Sequence, residues 1–133
     1  MQTLKGRTCV MAGATQGDGR ETVKALCAGG MNVVIMTHQA HMAVSLIKEV
    51  EDAGCEGKCV VNNGKEGCGP AELQPEVYKE IAGKFGSVDV VICNTGSNGK
   101  QFPLEEVDEE LLMRDVKHLT AGSFGMLKAA LPY

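Results

Sequence analysis

Three glycines, Gly13, Gly17 and Gly19, are the residues best placed to do chemistry. They are spaced G-x3-G-x-G between an apolar run and an amphipathic one. Glycines in that setting permit a tight turn and a close backbone approach to an anion. The free N–H groups at the start of the following helix then face that anion. The chemistry this points to is non-covalent, the cradling of a pyrophosphate, although such a cluster also makes ordinary strand-to-helix turns. A second run of this kind, Asn94-Thr95-Gly96-Ser97-Asn98-Gly99, follows another apolar stretch. The six cysteines suggest less. Cys9, Cys27, Cys59 and Cys93 lie inside apolar segments, where a thiol acts as a small hydrophobe. Cys55, Cys59 and Cys68 cluster, but their C-x3-C and C-x8-C spacings match no zinc knuckle, even with His38 and His41 nearby. No metal is expected, and reduced thiols imply a cytoplasmic setting.

The elements that must position the two loops alternate in type. Arg7 to Ala12 reads as a strand, and the helix after the first loop runs to Ala28, with Val23, Leu26 and Cys27 on one face. Gly29-Gly30 stops it. Asn32 to Thr37 is a second strand, and Ala40 to Ala53 a helix with Ala43, Leu46, Ile47 and Val50 on one stripe, stopped by Gly54. A short strand near Lys58 to Val61 leads into a loop, Asn62 to Pro70, and a helix spans Glu72 to Lys84, starting in earnest at Pro75. Ser87 to Cys93 is the fourth strand, and Leu104 to Leu131 is helical in one or two pieces. Strands this apolar, each followed by a helix, predict an α/β fold, a doubly wound parallel sheet covered on both faces. The natural strand order is 3-2-1-4, and both loops then flank the crevice between strands 1 and 4.

Composition narrows the partners. A chain of 133 residues has the length of one domain, and 44% apolar residues can fill a core. A net charge of −4, with no Trp, two Tyr and three Phe, argues against nucleic acid as a partner. No apolar run approaches a membrane span, and no basic segment precedes one as in a secretory signal, so no membrane partner is expected.

Phe85-Gly86-Ser87-Val88-Asp89-Val90-Val91-Ile92-Cys93-Asn94-Thr95-Gly96 resembles the F-G-x-x-D-x-L-V-N-N-A-G segment of the short-chain dehydrogenase/reductase family. Ala12-Gly13-Ala14-Thr15-Gln16-Gly17-Asp18-Gly19 is similar to that family's T-G-x-x-x-G-x-G. Gly122-Ser123-Phe124 through Lys128-Ala129-Ala130-Leu131-Pro132 looks like its G-x-F...A-A-L-P helix. The resemblance runs in order from about Lys5 to Tyr133. It implies that residues 1–133 are an NAD(P)-binding, Rossmann-like domain. Gly13, Thr15, Gly17, Asp18 and Gly19 would cradle the pyrophosphate, and Asn94, Thr95 and Gly96 would line the crevice beside ribose and nicotinamide. It also implies a homo-oligomer, often formed through the last helix, and a small-molecule substrate.

Cofactor choice is argued from charge. An NAD site usually places an acid after strand 2 to meet the ribose 2′-OH. There is no Asp or Glu between Thr22 and Lys48; Thr37 holds the acid position and His38 the place where NADP-dependent relatives often carry Arg. The residues favour NADP over NAD by a small margin, since imidazole offers a 2′-phosphate less than a guanidinium does. Asn62 and Asn63 replace the family's acid after strand 3 and can still meet an adenine edge.

Several positions depart from the family pattern. Asp18 stands where an apolar residue is usual; it either faces the pyrophosphate or caps the helix together with Glu21. Cys93 replaces an Asn, and His118 or Leu119 takes the place of the active-site Asn. The family's catalytic Ser and Tyr-x-x-x-Lys lie beyond this stretch; neither Tyr78 nor Tyr133 matches, so no catalytic residue is assigned. The expectation is a cofactor-binding half of an oxidoreductase, truncated at its C-terminus, with later strands missing. Strand 4 would be left as an apolar edge prone to aggregation unless a partner covers it. Two alternatives remain open, a non-catalytic nucleotide-sensing or scaffolding Rossmann protein and a flavodoxin-like domain.

Overall fold

The computed structural model describes residues 3–37, 40–62, 74–96 and 102–133. Four strands, β1 (Thr8–Ala12), β2 (Asn32–Met36), β3 (Cys59–Asn62) and β4 (Val90–Cys93), form one parallel sheet in the order β3-β2-β1-β4. This is the expected 3-2-1-4 order. A flavodoxin-like sheet would set β3 beside β1, on the other side from β2, so that alternative is excluded.

The helices are α1 (Gly17–Ala28), α2 (Ala40–Asp52), α3 (Gln74–Phe85), α4 (Glu109–Val116) and α5 (Gly122–Ala130). Strand alternation divides the core in two. Cys9, Met11, Val33, Ile35 and Cys59 point to one face, where Val23 and Cys27 of α1 and Ala43, Leu46 and Val50 of α2 cover them. Val10, Ala12, Val34 and Met36 point to the other, under Val77, Tyr78 and Ile81 of α3 and Met126 and Ala129 of α5. Each fully buried aliphatic side chain contributes about 1.5–3 kcal/mol, so burial on both faces is what holds the three layers together.

Most expected boundaries hold to within two residues, and two differences are informative. β4 begins at Val90 rather than Ser87, because the Asp89 side chain turns back to accept the Thr8 N–H at the start of β1, with the Ser87 hydroxyl donating to the same carboxylate oxygen. The final helical stretch has more pieces than expected: a 3-10 turn at Leu104–Glu106, then α4, a π-helical turn at Lys117–Ala121, and α5. Asp108 caps α4 by accepting the Leu111 N–H at 2.8 Å, as an N-cap carboxylate does. α1 ends as expected at Gly29-Gly30: Gly30 N donates to Cys27 O and Met31 N to Leu26 O, a Schellman arrangement with Gly30 at φ +84°.

No helix among the described residues is long and apolar enough to cross a membrane, and no group of His, Cys, Asp and Glu among them could hold a metal. Burial pushes the Cys9 thiol up to about 12. The neighbouring Cys27 thiol, together with burial, holds Cys59 well above the usual thiol range. Cys9 and Cys59 therefore act as core hydrophobes rather than nucleophiles. Cys68 lies outside the described residues.

Candidate functional site

The sheet register builds the site. Ala12 is paired with Met36 on one side and Cys93 on the other, and Met36 is paired with Asn62. The residues that leave these strand ends, Gly13, Thr37 and Asn94, together with Asn62 itself, therefore lie in a row along the carboxyl edge. α1 and α2 cover one face and α3 and α5 the other. The chain changes face between β1 and β4, and this switch point is where open α/β sheets bind ligands.

The three loop glycines do three different jobs. Gly13 has φ +71°, and a Cβ there would collide with the Asn94 carbonyl and the Thr95 nitrogen. The two loops are that close because the Asn94 N–H donates to Ala12 O at 3.1 Å and its side-chain Nδ2 to Gly13 O at 3.2 Å. A Cβ on Gly19 would overlap the Gly13 carbonyl, so Gly19 sets how tightly α1 seats against its own loop. Gly17 differs from both. It has φ +54°, yet nothing lies within 4 Å of where its Cβ would be. Its bare face opens into free space at the start of α1.

The start of α1 is equally open. Gln16 is the N-cap residue and makes no side-chain cap. Helices leave their first N–H groups without intrahelical partners, so donors and the positive end of the helix dipole remain for an anion. Asp18 is exposed in that first turn and does not cap the helix; Glu21 pairs with Lys24 at 2.7 Å instead. The alternative of a capping box between Asp18 and Glu21 is therefore excluded, because Gly17, one residue before Asp18, already belongs to the helix.

Thr15, Thr37 and Thr95 are half-buried along this edge, while Asn94 and Gly96 are exposed. His38 and Asn63 lie outside the described residues, as do Ser97, Asn98 and Gly99. Cys93 stays half-buried, its Sγ 3.8 Å from Ser123 O and 4.0 Å from Met126 Sδ, and burial raises its pKa.

A family model for short chain dehydrogenase matches residues 7–133. The chain belongs to the short-chain dehydrogenase family. Among its relatives is the short chain dehydrogenase/reductase dpmpG of Macrophomina phaseolina, 29% identical over 128 residues, which cover 96% of this chain and 71% of that one. The fold matches that of an NAD+-bound xylitol dehydrogenase (TM-score 0.80, 20% identity, 97% of this chain and 48% of that one). It also matches a metagenomic short-chain oxidoreductase in complex with NADP (TM-score 0.79, 19% identity, 98% and 57%). The chain thus spans about half the length of these two solved structures.

The two tyrosines of the chain do not reach the site. Tyr78 projects from α3 and is fully buried in the core. Tyr133 accepts the Val88 N–H through its carbonyl at 3.3 Å, at the amino end of β4 and opposite the glycine loop. Sequence reasoning missed Arg20. Its guanidinium donates to Thr15 O at 3.4 Å and to Ser45 Oγ at 3.3 Å, and pairs with Glu49 at 2.5 Å. An arginine at helical spacing on a polar face carries no signal that it turns back onto the loop.

Proposed function

We propose that this chain is the cofactor-binding part of an NAD(P)(H)-dependent oxidoreductase acting on a small alcohol/carbonyl pair. The observation that carries the reading is the pairing of Gly13, closed against Asn94, with Gly17, whose face is open beside an uncapped helix start. A cradle a Cβ would fill, next to unspent N–H donors, fits a pyrophosphate. When bound, the nicotinamide cofactor supplies the hydride chemistry, and this half of the protein orients it. In this reading Gly13, Thr15, Gly17, Asp18 and Gly19 hold the pyrophosphate side. Asn94, Thr95 and Gly96 line the crevice, Thr37 and His38 face the adenosine ribose, and Asn62 and Asn63 face the adenine.

The absence of acid between Thr22 and Lys48 supports NADP over NAD. The test is a titration of the intact protein with NADPH and with NADH. Saturable binding with the lower Kd for NADPH supports the reading; no binding of either sinks it, and tighter NADH binding reverses the preference. The burial of Tyr78 supports placing the acid/base groups of the whole protein elsewhere than in these residues. It also favours the second reading, a non-catalytic nucleotide sensor. Reading the coding DNA beyond Tyr133 separates the two: a Ser and Tyr-x-x-x-Lys favour the enzyme, an immediate stop the sensor. The exposed Leu112, Met113, Val116, Phe124 and Leu127 on α4 and α5 support self-association through that helical stretch.

A further inference from the structure

Arg20 sits one residue past the last loop glycine, at the fourth position of α1, and only 20% of its side chain is exposed. Its guanidinium has acceptors on two sides. One is the Thr15 carbonyl, inside the glycine loop. The others are Ser45 and Glu49, one turn apart on α2, and Glu49 is shared with Lys24 Nζ at 3.4 Å. The two flanking cations, Arg20 first, hold the Glu49 carboxyl below the usual carboxylate range, so the pair stays charged at neutral pH.

We infer that Arg20 is a positioning residue that sets the orientation of the Thr15–Gln16 peptide and ties the pyrophosphate loop to α2. A trans peptide is planar, and its C=O and N–H point in opposite directions. Drawing the Thr15 oxygen toward α2 therefore turns the Gln16 N–H away from α2. Arg20 is unsuited to meet the anion itself, because Glu49 already neutralises it and Ser45 takes part of its donor fork. Lysine cannot replace it: an ammonium keeps the ion pair with Glu49 but lacks the planar fork that reaches a carbonyl and a hydroxyl together. α2 follows the segment assigned to the adenosine ribose, so the contact links the two halves of the cofactor site. This inference rests on the proposed dinucleotide binding.

The experiment compares NADPH and NADH titrations of the intact protein with those of its Arg20→Lys and Glu49→Gln variants, alongside thermal melting. In Arg20→Lys, Kd rises about five- to tenfold, the loss of one charge-assisted hydrogen bond. It rises by the same factor for both cofactors, because the pyrophosphate is common to them. Melting moves by less than about 2 °C, since the ion pair with Glu49 survives. Glu49→Gln also weakens binding, by releasing the anchor. Tighter binding in Glu49→Gln would mean that Arg20 is a phosphate ligand held back by Glu49, and would overturn the inference. A change confined to NADPH, or unchanged Kd in Arg20→Lys, would do the same. If the unsubstituted protein binds neither cofactor, the cofactor reading itself fails and this inference falls with it.

Discussion

The same two strands, β1 and β4, are tied together at both ends, and by opposite means. At the amino end the tie is a charged side chain. Asp89 Oδ2 accepts the Thr8 N–H at 2.8 Å and the Ser87 hydroxyl at 2.8 Å, while the Asp89 N–H donates to Thr8 O at 2.9 Å. At the carboxyl end the tie is bare backbone, with Gly13 against Asn94. The amino end spends its donors on itself. The carboxyl end keeps Gly17 uncovered and the first turn of α1 uncapped, and this makes it the end that can take a ligand.

Substitutions at the two ends should separate these roles. The largest effect is expected from Gly13→Ala, which adds a Cβ into the Asn94 backbone at a positive φ. No flexible side chain can yield there, so a loss of about 3 kcal/mol or more is expected in urea unfolding, with cofactor binding lost as well. A variant as stable as the original would show that the loops are not in contact. Gly17→Ala should behave differently. Its φ of +54° costs about 1 kcal/mol for a non-glycine residue, but nothing blocks the new methyl. The main loss is in cofactor affinity, about tenfold or more by calorimetric titration. Equal affinity would place the ligand elsewhere.

The amino end should respond to pH rather than to cofactor. The Thr8 N–H, then Ser87 and Arg7, hold the Asp89 carboxyl below its ordinary range. Because the folded value is the lower one, this stabilisation is fully present above the unfolded carboxylate pKa of about 4. It is lost as pH falls through the folded value. Asp89→Asn should cost about 1 kcal/mol at pH 7 and flatten the acid limb of the melting temperature, leaving NADPH binding unchanged. An unaltered acid limb would count against the clamp. The smallest effect is expected at Thr8. Its buried Oγ1 has no hydrogen-bond partner among the described residues, so Thr8→Val should leave the melting point unchanged or slightly raised. A clear drop would reveal a partner for that hydroxyl.

Periodicity was enough for the frame. Val33-Val34-Ile35-Met36, apolar at every position, reads as a strand covered on both faces, and it is buried on both. It was not enough at Ser87-Val88-Asp89, which runs straight into the apolar β4 segment in sequence although the Asp89 side chain accepts the N–H of Thr8, 81 residues earlier. Nor could it show the π-helical turn at Lys117–Ala121, where the Ser123 hydroxyl bonds the Leu119 carbonyl at 2.7 Å inside an otherwise regular helical run. Of the two readings of Asp18, capping fell for a local reason: whether a carboxylate caps a helix depends on which residue starts it, and helix starts are blurred in sequence.

By itself the sequence determined the alternation of strands and helices, a parallel sheet covered on both faces, and two candidate strand orders, of which the structure shows 3-2-1-4. Those follow from burial on both sheet faces and from right-handed crossovers, which leave few arrangements open. Only the tertiary structure decided how the glycines divide their work, since whether a missing Cβ makes room for a neighbouring backbone or for a ligand depends on what lies across the gap. Gly13 faces Asn94 and Gly17 faces open space. No property of glycine itself distinguishes them.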